Sequence, residues 1–269
     1  LFSALLAAGC ASPTQRIGGE AAGFGFEPLE LEGNGFRLAA FFKPGQKVSG
    51  KRLHLYLEGD GTPWISRRTI SDDPTPRDPV MLRLMALDEG PALYLGRPCY
   101  YGHSADSGCS PALWTHRRYG PEVVDSMADA LRKFLSKNAA ERLVLFGHSG
   151  GGALALLLAP RFPETSAVVT LAGNLDIGAW TAHHGYSPLT GSLNPAETGT
   201  GGIPEYHYLG ETDRTVPPSV FEPIAKRRPH ARVSVLPDFD HRCCWQDIWK
   251  NVLQRADSAG SNSISAFKQ

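Results

Sequence analysis

The segment Gly147-His148-Ser149-Gly150-Gly151 constrains this chain more than any other. Four apolar residues, Leu143-Val144-Leu145-Phe146, precede it directly, and an apolar run follows over residues 152–159. A short apolar run, a glycine-rich turn and a longer apolar run read as strand, tight turn and helix, with Ser149 at the apex. The serine backbone of such a turn is strained, and glycines on either side leave room where side chains would clash. The hydroxyl is then exposed at the strand end, and the helix N-terminus beside it favours a developing anion. A phosphate-binding turn is the competing reading, but no Gly-Lys-Ser/Thr follows. Gly102-His103-Ser104 looks similar, yet it lacks the later glycine and the flanking strand.

Around this turn the chain alternates strands and helices. Residues 53–57, 92–95, 143–146, 167–171, 206–209 and 233–236 are short apolar runs, as expected for strands covered on both faces. Helical segments lie between most of them; residues 79–87 and the amphipathic stretch 121–137 are the clearest. The expected fold class is therefore α/β, with a mainly parallel sheet flanked by helices. Residues 27–31 and 37–42 predict an antiparallel start. Residues 174–203 are rich in Gly, Thr and Pro and too long for an ordinary connection, so they read as a small cap insert over the strand ends. In it, Trp180, His183, His184, Tyr186, Leu189 and Leu193 suit the lining of a shallow pocket.

Composition excludes other classes. Lys plus Arg and Asp plus Glu are both 27, which argues against nucleic acid as a partner. No stretch reaches the roughly 18 apolar residues of a membrane span. No 20–50-residue repeat is present, which removes solenoids and propellers. No Cys-x-x-Cys pair or His-Glu-x-x-His suggests a metal.

The order of strand, turn serine, later acid and final histidine resembles the α/β-hydrolase superfamily over most of residues 50–256. That resemblance implies a serine hydrolase working through an acyl-enzyme, without a cofactor, and most simply a hydrolase of small carboxylic esters. It implies Ser149 as nucleophile and Asp213, in Gly210-Glu211-Thr212-Asp213-Arg214-Thr215-Val216-Pro217 after the strand 206–209, as the acid. Asp176 is the rival acid, one strand earlier. His241, in Asp238-Phe239-Asp240-His241 past the strand 233–236, is the base, since the histidine must come last in this order. The backbone amides of Asp60 and Gly150 are expected to form the oxyanion hole. Glu58-Gly59-Asp60-Gly61 stands where the family carries His-Gly-x, so Glu58 replaces a histidine and Asp60 brings an acid beside a developing anion. Arg67, Arg68 or Arg97 could pair with it. A peptidase or amidase using the same triad, and a non-catalytic surface lipoprotein of this fold, are the alternatives.

The beginning of the chain bears on its compartment. Residues 1–9 are apolar and end in small residues, as in the tail of a signal peptide. Leu6-Ala7-Ala8-Gly9-Cys10 resembles a bacterial lipobox, which implies lipidation of Cys10, membrane attachment through the lipid, and a place in the cell envelope, at the outer membrane. The expected layout is a signal remnant at 1–9, the lipobox Cys and a tether at 10–24, the hydrolase domain at 25–258 and a flexible tail at 259–269. The other four cysteines allow three pairings. Cys99 and Cys109 flank a short loop that a disulfide would hold, and Cys243 and Cys244 are neighbours able to form a vicinal bridge.

Overall fold

A computed structural model describes residues 11–45 and 52–259. Cys10, with its expected lipid, and residues 260–269 lie outside the described residues. The expected strands all form: β1 (Glu27–Gly33), β2 (Phe36–Lys43), β3 (Arg52–Leu57), then a small hairpin of β4 (Trp64–Ser66) and β5 (Thr69–Ile70), and β6 (Ala92–Leu95), β7 (Arg142–His148), β8 (Thr165–Leu171), β9 (Glu205–Gly210) and β10 (Ala231–Leu236). Eight of them make one sheet in the order β1-β2-β6-β3-β7-β8-β9-β10. The six from β6 to β10 run parallel, and β2 is antiparallel to both of its neighbours. The continuous apolar runs mark strands covered on both sides: Leu53 to Leu57 and every residue of β9 are buried. The edge strand β1 instead alternates exposed and half-buried positions.

Helices α2 (Val80–Ala86) and α7 (Trp245–Ala259) pack together on one face, where Trp249 lies edge-on to Phe146 of β7 and beside Tyr56 of β3. Helices α3 (Pro121–Lys137) and α4 (Gly150–Leu158) cover the other, with Phe134 of α3 edge-on to Phe42 of β2. Helix α4 is buried along its whole length, which explains its uninterrupted apolar sequence. Helix α6 (Pro218–Lys226) packs on β9 and β10.

The N-terminal segment differs from the expected tether. Residues Pro13–Gly23 form a helix, α1, held by a capping box in which Ser12 and Gln15 exchange side-chain-to-backbone hydrogen bonds at 3.2 and 2.9 Å. Ile17 and Ala21 bury its inner face, and the helix touches β1. The Ser and Pro that suggested a linker are the chemistry of a helix start. The cap insert holds one regular helix, α5 (Ile177–His184), followed by irregular chain to β9. Cys99 and Cys109 form a disulfide with a Cα–Cα distance of 5.6 Å, and Cys243 and Cys244 form a vicinal one.

Candidate active site

Parallel strands deliver their following loops to one end of the sheet, and four such loops meet there. Ser149 ends β7 and opens α4 with φ 54° and ψ −121°, a conformation that side chains rarely adopt. Its amide is held by the Leu171 carbonyl at 3.0 Å, and its own carbonyl accepts from Asn174 at 3.0 Å. The glycines are required by contact: a Cβ on Gly147 would collide with the Gly151 backbone, and one on Gly151 with the carbonyl of Leu57 in β3.

His241 comes from the loop after β10 and bridges the other two groups. Its Nε2 lies 3.0 Å from Ser149 Oγ, and its Nδ1 lies 2.8 Å from Asp213 Oδ2. Asp213, on the loop after β9, turns its other oxygen to the amides of Thr215 (2.7 Å) and Val216 (2.9 Å). Burial pushes its carboxyl up, but the hydrogen bond and charge of His241 together with those amides outweigh it, so the net direction is down and the group stays ionised. The two loops are tied to each other, because Thr212 donates to the Phe239 carbonyl from both its amide (2.9 Å) and its hydroxyl (2.8 Å). Asp176, the rival acid, is occupied elsewhere. It is the N-cap of α5, accepting from the amides of Gly178 and Ala179 at 2.9 and 3.0 Å and from the Asn194 side chain at 3.0 Å.

His148 does not reach the Ser149 hydroxyl. It is buried, and its Nε2 donates to the His241 carbonyl at 2.6 Å, with the two rings 4.8 Å apart. Burial and the neighbouring His241 push it down to about 3, so it is a neutral donor that holds the backbone of His241. Trp245 adds a second donor to the same carbonyl at 3.3 Å.

The loop after β3 brings Gly59 against Ser149: a Cβ there would touch the Cβ of Ser149 at 3.4 Å. Among the described residues no protein acceptor occupies the amides of Asp60 or Gly150, the two expected oxyanion donors. Asp60 turns its carboxylate away into a buried cluster. Arg97 donates to it at 2.8 Å, as one of the three arginines considered from sequence, while Arg67 and Arg68 sit exposed at the turn of the β4–β5 hairpin. Two further partners were not foreseen: Arg118 at 2.7 Å and the Tyr119 hydroxyl at 2.7 and 2.8 Å. Burial pushes Asp60 up, but the charges of Arg118 and Arg97 drive it well below the ordinary carboxylate range. Glu58, in the place of the family histidine, faces inward: it accepts from the Gly59 amide at 3.1 Å and the Met81 amide at 2.9 Å.

The cap flanks these loops on two sides. Trp180 and His184 of α5 both donate to the Thr215 carbonyl at 2.9 Å, beside Asp213, while the Leu193 amide and Ser192 hydroxyl bond to the carbonyls of Tyr119 (3.0 Å) and His116 (2.9 Å), beside the Asp60 cluster. Trp180, Leu189 and Leu193 are half-buried against the body; Tyr186 is exposed and stacks on His184.

The family model for lipase (class 3) matches residues 100–174, less than half of the chain but including the Ser149 turn. No curated protein matches the sequence. Solved structures are similar over nearly the whole chain. An esterase from Pyrococcus furiosus has a TM-score of 0.64 at 13% identity, covering 94% of each chain. A putative lipase from Acinetobacter baumannii has a TM-score of 0.63 at 14% identity, covering 96% of this chain and 99% of the other. A lidless a/b serine hydrolase from Xanthomonas campestris has a TM-score of 0.55 at 14% identity, covering 88% and 94%.

Proposed function

On the α/β-hydrolase fold that this chain has, we propose a serine hydrolase that cleaves carboxylic esters through a Ser149–His241–Asp213 triad and an acyl-enzyme. The observation that carries this reading is His241 within hydrogen-bond reach of both the strained Ser149 and the ionised Asp213. In the reaction, His241 takes the proton of Ser149 Oγ as that oxygen attacks the ester carbonyl. The amides of Asp60 and Gly150 hold the resulting oxyanion, and His241 returns the proton to the departing alcohol. Water then repeats the sequence on the acyl-enzyme. Asp213 keeps the imidazole in the tautomer that presents an unprotonated Nε2 to the serine, and His148 and Trp245 hold its backbone.

The lipase and esterase likenesses support an ester substrate, and the small cap supports a modest one. The test is labelling by a fluorophosphonate followed by a panel of p-nitrophenyl esters of increasing chain length. Label on Ser149, with turnover lost in Ser149→Ala, supports the reading; turnover that survives the substitution removes it. The proposal includes export and a lipid on Cys10. The lipobox-like residues 6–10 and the paired cysteines support this, since disulfides persist in oxidising compartments. Mass spectrometry of the membrane fraction should find an acylated Cys10 peptide, and an unmodified peptide there would overturn it.

A further inference from the structure

One of the loops expected to hold the oxyanion carries an ionised carboxylate of its own. Asp60 lies against Gly150: a Cβ on that glycine would collide with Asp60 Oδ1 and crowd the Tyr119 hydroxyl. A bare carboxylate this close to both donor amides would repel the negative charge that forms on the substrate. Two guanidinium groups meet it. Arg97 Nη1 donates to Oδ1 at 2.8 Å and Arg118 Nη1 to Oδ2 at 2.7 Å, with the Tyr119 hydroxyl across both oxygens. Arg97 is 4% exposed and Arg118 6%, so neither charge is screened by bulk water. Their other contacts are to neutral groups: Arg97 Nη2 donates to the Glu58 carbonyl at 3.1 Å, Arg118 Nε to the Thr115 carbonyl at 2.7 Å, and Arg97 lies over the rings of Tyr100 and Tyr119 at 5.6 Å each. The Tyr100 hydroxyl donates to the Asp60 carbonyl at 3.0 Å, fixing the loop from its other side.

The cluster thus holds two cations for one anion. Burying a second cation opposes folding unless something compensates, and one arginine would already neutralise the aspartate. The surplus charge is useful where a negative charge develops during turnover. Building on the ester-hydrolase reading, we infer that Arg97 and Arg118 are positioning residues of the oxyanion hole: they hold the Asp60 carboxylate off the reacting centre and leave one net positive charge behind the amides of Asp60 and Gly150.

The test changes the charge count while following a probe whose attack by Ser149 expels fluoride through a transition state with negative charge on the phosphonyl oxygen. The readouts are the second-order rate of inactivation by a fluorophosphonate, kcat and KM on a p-nitrophenyl ester, and urea unfolding to show that each variant is folded. Arg118→Met removes the surplus, and should lower the inactivation rate and kcat by about 10- to 100-fold with little change in KM, as expected for a unit charge several ångströms away at an effective dielectric of about 20. Arg118→Lys keeps the charge and should recover most of the loss. The double variant Asp60→Asn with Arg118→Met restores one net positive charge without leaving a carboxylate short of partners. It should recover most of the rate lost in Arg118→Met, since the net positive charge is restored while the Arg118 contact stays lost. An Arg118→Met protein that reacts at the wild-type rate would overturn the inference. So would a folded double variant about 100-fold slower than wild type, and this comparison holds even if Arg118→Met alone fails to fold. A wild-type chain that takes no label on Ser149 would refute the hydrolase reading instead.

Discussion

Replacing Glu58 by glutamine should remove part of the protein's response to pH. Glu58 is 6% exposed, and its oxygens accept from the amides of Gly59 and Met81. Burial raises its carboxyl from 4.5 to about 7, against the pull of those two amides. Because the folded value lies above the unfolded one, the native chain keeps a proton that the unfolded chain releases between those limits. The contribution is complete below pH 4.5, declines as the pH rises, and is gone above about 7. The interval of 7 minus 4.5 converts to about 3 kcal/mol at 1.36 kcal/mol per unit. The neighbouring His148, whose Nδ1 is 3.9 Å from Glu58 Oε1, has the opposite sign. Lowered from 6.5 to about 3, it stabilises the fold above 6.5 and ceases to do so as the pH falls. The wild-type curve therefore mixes two slopes, and the informative quantity is wild type minus Glu58→Gln. Glutamine keeps the size and an acceptor oxygen but does not titrate. Urea unfolding from about pH 4 to about pH 8 should show the difference moving by about 3 kcal/mol in favour of the variant as the pH rises. A difference that stays flat would refute the buried, protonated Glu58.

Other substitutions separate chemistry from structure. Asp213→Asn should lower kcat by a factor on the order of 10⁴ in a folded protein, whereas Asp176→Ala should lose about 1 kcal/mol of stability through its missing helix cap and keep its activity; kinetics and urea unfolding on both variants decide. Replacing Cys99 and Cys109 by serine opens a closure of 10 residues and should destabilise the chain by about 3 kcal/mol in urea unfolding on the chain-entropy estimate. Trp180→Ala and Tyr186→Ala should alter the chain-length preference in kcat/KM if the cap contacts the acyl chain; an unchanged order, with stability alone reduced, would show that these rings only pack the insert.

What was legible in the sequence follows from where the information lies. Strands β3, β7, β8 and β9 stood out because both of their faces are buried, leaving apolar runs with few interruptions. Helix α1 was hidden, because its start is marked by Ser12, Pro13 and Gln15, residue types that a linker also favours. Helix α7 was not among the expected elements, although Trp245, Trp249, Val252 and Ala256, spaced by four, three and four, mark its buried face.

The group of Ser149, His241 and Asp213 was legible for a topological reason. Its members sit on the loops after β7, β9 and β10, so strand order carries them to the same end of the sheet, and chain order names them. The surroundings of Asp60 follow no such rule. Arg97 comes from the loop after β6 and Arg118 from the turn before α3, two irregular segments whose meeting has no periodicity to announce it. The sequence showed only that an acid beside an oxyanion needs a cation. It did not distinguish Arg67 and Arg68, which the hairpin carries into solvent, from Arg118, which the fold buries. Tyr119 shows why the distinction matters. Its hydroxyl bonds Asp60, its carbonyl accepts from Leu193 of the cap, and it is followed by Gly120, the N-cap of α3. One residue thus connects the Asp60 loop, the cap and a helix of the body.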